Sequence, residues 1–231
     1  MPLYYPMGFD SGYLLLVVVS LVLGFATQHY IDSTYKRWSK VPVPGGRSGA
    51  SIARSMLEAD GVDGVGIEVV PGELTDHFDP RDNSLHLSQA NLSGASVASA
   101  AVACHEAGHA VQYDKGYVPG RIRTALVPIV NFASNVWMIV LIVGISMSFA
   151  GLIDLAIILF AASVLFQLVT LPVEFDASRR ALVYLRTAGF DGEVVAGARK
   201  VLTAAALTYV AAALVSCLQL LYLLGVSSRR D

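Results

Sequence analysis

The chain is poor in cysteine and has almost no net charge. Its two cysteines, Cys104 and Cys217, both lie in apolar stretches, so we expect buried free thiols and no disulfide framework. Sixteen basic and eighteen acidic residues leave a net charge of -2, which indicates no nucleic-acid partner. No lysine or arginine precedes the first apolar run, and no small-x-small site follows it, so we expect a retained anchor rather than a cleaved signal peptide.

Apolar residues, in contrast, are abundant. They make up 55% of the chain, and the mean hydropathy is +0.58, which is too high for an ordinary soluble domain. Charged residues still account for 15%, which is too many for a protein that lies wholly in lipid. A membrane-spanning helix needs roughly 20 apolar residues. We therefore predict a mainly α, polytopic membrane protein with about four transmembrane helices and a small α+β juxtamembrane subdomain.

Composition shifts along the chain divide it into five predicted parts. They are a transmembrane anchor at 1–31, a juxtamembrane subdomain at 32–126, a transmembrane hairpin at 127–172, a charged segment at 173–200, and a transmembrane helix with its tail at 201–231. Within the subdomain, Ser48 is a typical N-cap for an amphipathic helix, and GIEVVP and SLHLS are typical of strands. Gly151 marks the expected turn of the hairpin.

The basic residues predict how the chain crosses the membrane. Nine lie between the first and second spans, five between the third and fourth, and none at the hairpin tip. By the positive-inside rule, both basic regions face the cytoplasm and the N-terminus faces outward. Arg229 and Arg230 would then lie outside, against the same rule.

The segment 101–117 contains His105-Glu106-Ala107-Gly108-His109, which has the HExxH spacing. Residues four apart lie on one face of a helix, so His105 and His109 can bind one metal ion. Glu106 lies one step round the helix, where it can hold a water without binding the metal. Zinc lowers the pKa of a bound water to about 7, and a nearby carboxylate can accept its proton. The motif predicts one Zn²⁺ ion, with Glu106 as the general base.

Two histidines are too few for a catalytic zinc site, so a third ligand must come from elsewhere. The position six residues after the second histidine holds Lys115, which excludes the metzincin arrangement. Only two glutamates follow the motif. Glu174 lies where the third span returns to the motif's side of the membrane, just after Pro172, as suits the first turns of a helix. Glu193, in a glycine-flanked loop, is the weaker candidate.

Two aspartates also follow the motif close to these spans. Asp176 is the alternative to Glu174, and it lies about 200° away from it round a helix. Asp154, at the far end of the hairpin, lies across the membrane from the motif and is excluded.

Three stretches together resemble a known family. HEAGHAVQ, LTDHFDP with LHLS, and TLPVEFDASRRA are similar to the YugP-type neutral zinc metallopeptidases of bacterial membranes, and the resemblance covers nearly the whole chain. More distantly, the chain resembles the HtpX and CAAX prenyl protease group, whose signature is Glu-x-x-Ala-Asp. Here Ser178 stands in place of that aspartate. The resemblance implies zinc ligation by His105, His109 and Glu174, general-base catalysis by Glu106, a gluzincin-like site and a bacterial cytoplasmic membrane.

Two further residues have both a structural and a functional interpretation. His77 lies in a turn-rich stretch, where it caps or packs, or else stabilises an oxyanion beside a strand edge that binds extended substrate. Arg179 is either a charge at the membrane surface or a contact of the tetrahedral intermediate.

The function predicted from the sequence is that of a membrane-embedded zinc endopeptidase. Its expected substrates are proteins or peptides, in particular membrane proteins and their juxtamembrane tails, with the active site on the cytoplasmic side. The alternative is a catalytically inactive zinc-binding scaffold or a client-binding pseudoprotease. Glu106 argues against the alternative, because a structural zinc site needs no general base. The lipid bilayer is an expected partner, and the sequence identifies no protein partner or oligomeric state.

Overall fold

The structure is a computed structural model that describes residues 11–228. Arg229 and Arg230, and the first ten residues of the predicted anchor, lie outside the described residues. The helices are α1 (Ser11–Trp38), α2 (Gly49–Ala59), α3 (Gln89–Ser93), α4 (Val97–Asp114), α5 (Val118–Ser146), α6 (Ala150–Thr187) and α7 (Gly192–Ser227), with a 3-10 turn at Pro44–Gly46. The strands are β1 (Gly66–Val70), β2 (His77–Asp79) and β3 (Ser84–Ser88).

Four of the described helices, α1, α5, α6 and α7, are long and apolar enough to cross a membrane. This agrees with the predicted mainly helical fold and its four spans. Among residues 11–228, the chain forms two compact units. The apolar unit comprises residues up to 27, residues 122–170 and those from 208 onward, and the mixed unit comprises residues 28–121 and 171–207. The five predicted parts do not correspond to these units one by one, and their boundaries stay predictions.

Two local predictions about the hairpin and its exit were wrong. The turn lies at residues 147–149, and Gly151 belongs to the first turn of α6. No new helix begins after Pro172, since α6 runs without a break from Ala150 to Thr187. Proline lacks one backbone donor, but a helix held by packing on both sides can continue through it. Glu174 is therefore in the interior of a helix.

Polar side chains inside the apolar unit bond to neighbouring helices. The amide of Gln167 on α6 donates to the hydroxyl of Ser216 on α7 at 3.0 Å. The hydroxyls of Ser134 on α5 and Ser163 on α6 lie 3.0 Å apart. A polar group in lipid finds no water, so such pairs favour one arrangement of the helices.

The mixed unit is built around a three-stranded sheet in the order β1-β3-β2. β1 runs parallel to β3, and β2 runs antiparallel to it. The predicted strands are thus β1 and β3, and β2 forms within the turn-rich stretch because β3 provides a partner. Successive side chains of a strand point to opposite faces. Leu85 and Leu87 are fully buried in the core, so His86 between them lies on the other face of the sheet.

Helix α4, which carries the HExxH motif, is mostly buried. The hydroxyl of Ser96 caps it by accepting a hydrogen bond from the Ser99 amide at 3.1 Å. The predicted cap of α2 is confirmed in the same way, since Ser48 accepts from the Ser51 amide at 3.2 Å. Six alanines of α4 are at most 1% exposed: Ala98, Ala100, Ala101, Ala103, Ala107 and Ala110. Their small size lets other elements pack close to the helix that bears the histidines.

Candidate metal centre

Helices α4 and α6 touch backbone to backbone at one point. A Cβ atom added to Gly108 would lie 2.8 Å from the carbonyl oxygen of Ala177 and 3.1 Å from its Cα. Only glycine on α4 allows this approach, because any larger residue would push the helices apart. Glu174 lies three residues before Ala177, on the same face of α6. The contact therefore brings Glu174 next to the two histidines of the motif.

His105, His109 and Glu174 form a cluster of potential metal ligands, the one such group within residues 11–228. The Nε2 atoms of His105 and His109 lie 3.2 Å apart. Oε2 of Glu174 lies 3.2 Å from Nε2 of His105 and 3.6 Å from Nε2 of His109. Glu174 is only 2% exposed, and the histidines are partly buried. The three atoms thus converge on one point in a sheltered place.

These separations fit a zinc ion. Zinc bonds to histidine nitrogen and carboxylate oxygen at about 2.0–2.2 Å with tetrahedral angles, which places neighbouring ligand atoms about 3.3–3.5 Å apart. The observed distances of 3.2, 3.2 and 3.6 Å bracket that range. Two imidazoles and one carboxylate are also the donor set of a known class of catalytic zinc site, which uses three protein ligands.

Both histidines also make a hydrogen bond through their other ring nitrogen. Nδ1 of His109 lies 3.0 Å from Oε1 of Gln112. Nδ1 of His105 lies 3.2 Å from the hydroxyl of Ser178. Metal-binding histidines almost always have such a partner, which fixes the orientation of the ring. Ser178 is the residue that replaces the aspartate of the wider signature, and its hydroxyl contacts a histidine of the cluster.

Glu106 follows His105 directly on α4 and is buried, at 8% exposure. It does not belong to the three-residue cluster, which agrees with its predicted role as a base that does not bind the metal. Cys104, on the other side of His105, is fully buried, and burial raises the pKa of its thiol well above the ordinary value. The thiol therefore stays protonated, and it too lies outside the cluster.

The alternative ligand Asp176 lies outside the cluster as well and has other partners. Its carboxylate accepts from Nε2 of Gln112 at 3.0 Å, from Nε of Arg180 at 2.6 Å, and from Arg179. The structure thus pairs Arg179 with Asp176, while most of the Arg179 side chain is exposed. A contact between Arg179 and a reaction intermediate stays a prediction.

The structure does not bring His77 to the cluster. Its ring stacks on that of His86, its cross-strand partner, with centroids 4.8 Å apart, and its Nδ1 lies 2.9 Å from the Thr75 carbonyl oxygen. The next residue, Phe78, packs against Tyr113 of α4. Since side chains alternate along a strand, His77 lies on the face of the sheet away from α4. Its proposed part in oxyanion binding stays a prediction.

The two remaining acidic candidates, Glu193 and Asp154, have other positions and partners in the structure. Glu193 lies in the first turn of α7, not in a loop as predicted, because Asp191 caps that helix by accepting from the Val194 amide at 2.8 Å. Asp154 accepts a hydrogen bond from Ser227 at 3.0 Å within the apolar unit. Neither belongs to the metal-ligand cluster.

Sequence reasoning missed Gln112 and the role of Asp176. The signal was present in HEAGHAVQ, where a glutamine follows the second histidine by three residues and so shares its face of the helix. Gln112 is only 3% exposed. A buried amide beside a metal ligand needs partners, and those partners come from a helix more than 60 residues further along the chain.

Comparison with known proteins identifies the family of the chain. A family described as "Putative neutral zinc metallopeptidase" matches residues 13–228, so the chain belongs to that family. A similar protein is the "Putative membrane protease YugP" of Bacillus subtilis (strain 168), with 44% identity over 210 residues, 90% of this chain and 93% of that protein. No solved structure matches the chain. The family resemblance is thus confirmed, and the protein is a membrane protein whose cofactor is zinc.

Proposed function

We propose that the protein is a membrane endopeptidase that hydrolyses peptide bonds at the centre formed by His105, His109 and Glu174. The observation that carries the proposal is the convergence of their three ligand atoms, 3.2 to 3.6 Å apart, beside a buried glutamate on the same helix. Zinc held there would supply a Lewis acid, which polarises a scissile carbonyl and lowers the pKa of a water to about 7.

Glu106 is the proposed general base. A single helical step of about 100° separates it from His105, so it neighbours the cluster without belonging to it. Its carboxylate accepts a proton from the attacking water and then donates it to the leaving amine. A site that only stabilised the fold would need no such group. The buried carboxylate therefore favours an enzyme over a zinc-binding scaffold.

The proposed substrates are proteins within or next to the membrane. Glu174 lies on α6, and the earlier part of this same helix is a candidate membrane span. A peptide bond reaching this centre is therefore cut close to the bilayer. β2 is an edge strand of the sheet, and Phe78 on it packs against α4. An extended substrate segment could add to this edge as a further strand.

The proposed location is a bacterial cytoplasmic membrane, crossed several times, with the centre on the cytoplasmic side. The support is the charge distribution. The segment that carries the HExxH motif and the segment that carries Glu174 hold nine and five basic residues, and the hairpin tip between them holds none.

The test compares three variants of the full chain, each purified in detergent. Their activity is assayed with casein or a single-span membrane protein as substrate. Glu106→Gln should keep zinc and lose activity by at least about 10²- to 10⁴-fold, the contribution of general acid–base catalysis. Glu174→Ala should lose zinc. Glu193→Ala, at an exposed glutamate of α7, is the matched control and should resemble the wild type.

Three results would contradict the proposal in different ways. Full zinc occupancy in Glu174→Ala would reject the ligand assignment. Equal cleavage rates for Glu106→Gln and the wild type would reject the general base. A zinc-loaded wild type that cleaves neither substrate but retains unfolded membrane proteins would favour the scaffold instead.

A further inference from the structure

The side-chain amide of Gln112 has a single orientation that satisfies its neighbours. Its nitrogen, Nε2, lies 2.8 Å from the carbonyl oxygen of Val173 and 3.0 Å from Oδ2 of Asp176. A carbonyl oxygen only accepts hydrogen bonds, and both oxygens of Asp176 already accept from Arg179 and Arg180. The reverse orientation would place the amide oxygen against two acceptors in a buried site, with no donor between them. The NH₂ group therefore faces α6, and Oε1 faces His109.

This orientation determines where the proton of His109 lies. Oε1 of Gln112 can only accept, so Nδ1 of His109, 3.0 Å away, must carry the hydrogen. A neutral imidazole that is protonated on Nδ1 has its lone pair on Nε2. Nε2 is the atom that faces His105 and Glu174. Gln112 thus selects the tautomer of His109 that can bind a metal.

We propose that Gln112 is a positioning residue that fixes the metal-binding tautomer of His109, and that Asp176 anchors Gln112 in this role. The proposal rests on the metal centre of the proposed function, but it does not require that the protein cleave peptides. Neither residue belongs to the metal-ligand cluster. Both act through His109.

The arginines next to Asp176 explain why its carboxylate can serve as the anchor. Arg180 donates to it at 2.6 Å, and Arg179 pairs with its other oxygen. Each oxygen of this mostly buried carboxylate thus accepts from a guanidinium group, and these bonds hold it in place beside Gln112. Helix α6 thus supplies one ligand, Glu174, and also orients another on α4. Loss of such an outer partner lowers metal affinity about 10- to 100-fold.

The test uses the full chain in detergent, labelled with ¹⁵N-histidine and freed of metal, at a pH of about 8, where ordinary histidine is neutral. The ¹⁵N spectrum of His109, identified with a His109→Gln variant, reports which ring nitrogen is protonated. In the wild type this should be Nδ1. In Gln112→Leu the acceptor is gone, and the proton should move toward Nε2. Zinc should bind this variant about 10- to 100-fold more weakly in competition with a chromophoric chelator.

Two further variants separate positioning from packing. Gln112→Glu keeps an oxygen for His109, so Nδ1 should stay protonated even though a second carboxylate next to Asp176 weakens the fold. Gln89→Leu, at an exposed glutamine of α3, is the control and should change neither readout.

The proposal is overturned if His109 of the wild type carries its proton on Nε2. It is also overturned if Gln112→Leu weakens zinc binding without changing the tautomer, because Gln112 would then only hold the helices together. If Gln112→Leu does not fold, the wild type and Gln112→Glu still decide the question. If the wild type cleaves no substrate, peptide hydrolysis is rejected. The protonated nitrogen of His109 and the zinc affinity still test the role of Gln112 in that case.

Discussion

Replacing Gly108 by alanine tests whether the backbone contact between α4 and α6 sets the metal centre. The added Cβ would lie 2.8 Å from the carbonyl oxygen of Ala177, whereas ordinary contacts begin at 3.4 Å. The helices would therefore have to separate by about 0.6 Å, the difference between these two distances. The obstructing atoms are backbone, so a change of rotamer cannot relieve the clash.

The expected consequences follow from this displacement. Metal–ligand distances tolerate deviations of about 0.2 Å, so a shift of the helix that carries Glu174 should weaken zinc binding by at least about 10-fold. Overpacking of this kind also costs about 1–3 kcal/mol of folding free energy. The zinc dissociation constant, measured by chelator competition, and the apparent thermal midpoint of the metal-free protein report the two effects.

The matched control is Gly192→Ala, at the first residue of α7. A Cβ added there meets nothing within 4 Å, so zinc affinity and thermal midpoint should stay close to those of the wild type. Zinc binding by Gly108→Ala that is as tight as that of this control would contradict the prediction. Such a result would mean that the helices can separate without moving Glu174 away from the histidines.

Two further predictions use the thiols of the chain. The first starts from a protein whose two cysteines are replaced by alanine. Met147→Cys in the hairpin turn should then react with a membrane-impermeant maleimide in intact cells, whereas Lys115→Cys should react only after lysis. The opposite pattern would reject the cytoplasmic placement of the metal centre. In Cys217→Ala, burial and the raised pKa of the remaining Cys104 thiol should prevent alkylation until the protein is unfolded. Rapid alkylation of Cys104 in the folded protein, detected by mass spectrometry, would contradict the burial of this face of α4.

Local patterns in the sequence were sufficient to predict the four long helices, α2 and the motif. Four apolar runs predicted the four long helices, and Ser48 predicted the start of α2. Glu174 was favoured because two membrane crossings return the chain to the side where the motif lies. These predictions depend on composition and on the number of long apolar runs, which can be read from the sequence.

The contacts around the metal centre depend instead on the register between two helices. The bonds of Gln112 to Val173 and Asp176 join residues 61 and 64 positions apart, and a shift of one residue in α6 would break both. The uninterrupted helix at Pro172 was missed for a related reason. The local preference of proline predicts a break, whereas α6 continues through Pro172, with buried residues Thr170 and Val173 on either side of it.

The spacing of the two signatures has a single physical explanation in the contact between α4 and α6. In Glu-x-x-Ala, the alanine lies one turn after the glutamate and on the same face, so Ala177 at the helix contact brings Glu174 towards α4. In HExxH, Gly108 lies between the two histidines and accepts that contact. A larger residue at Gly108 would separate the helices, even with every residue of the cluster retained. The absence of a side chain at Gly108 therefore helps to set the distances between Glu174 and the two histidines.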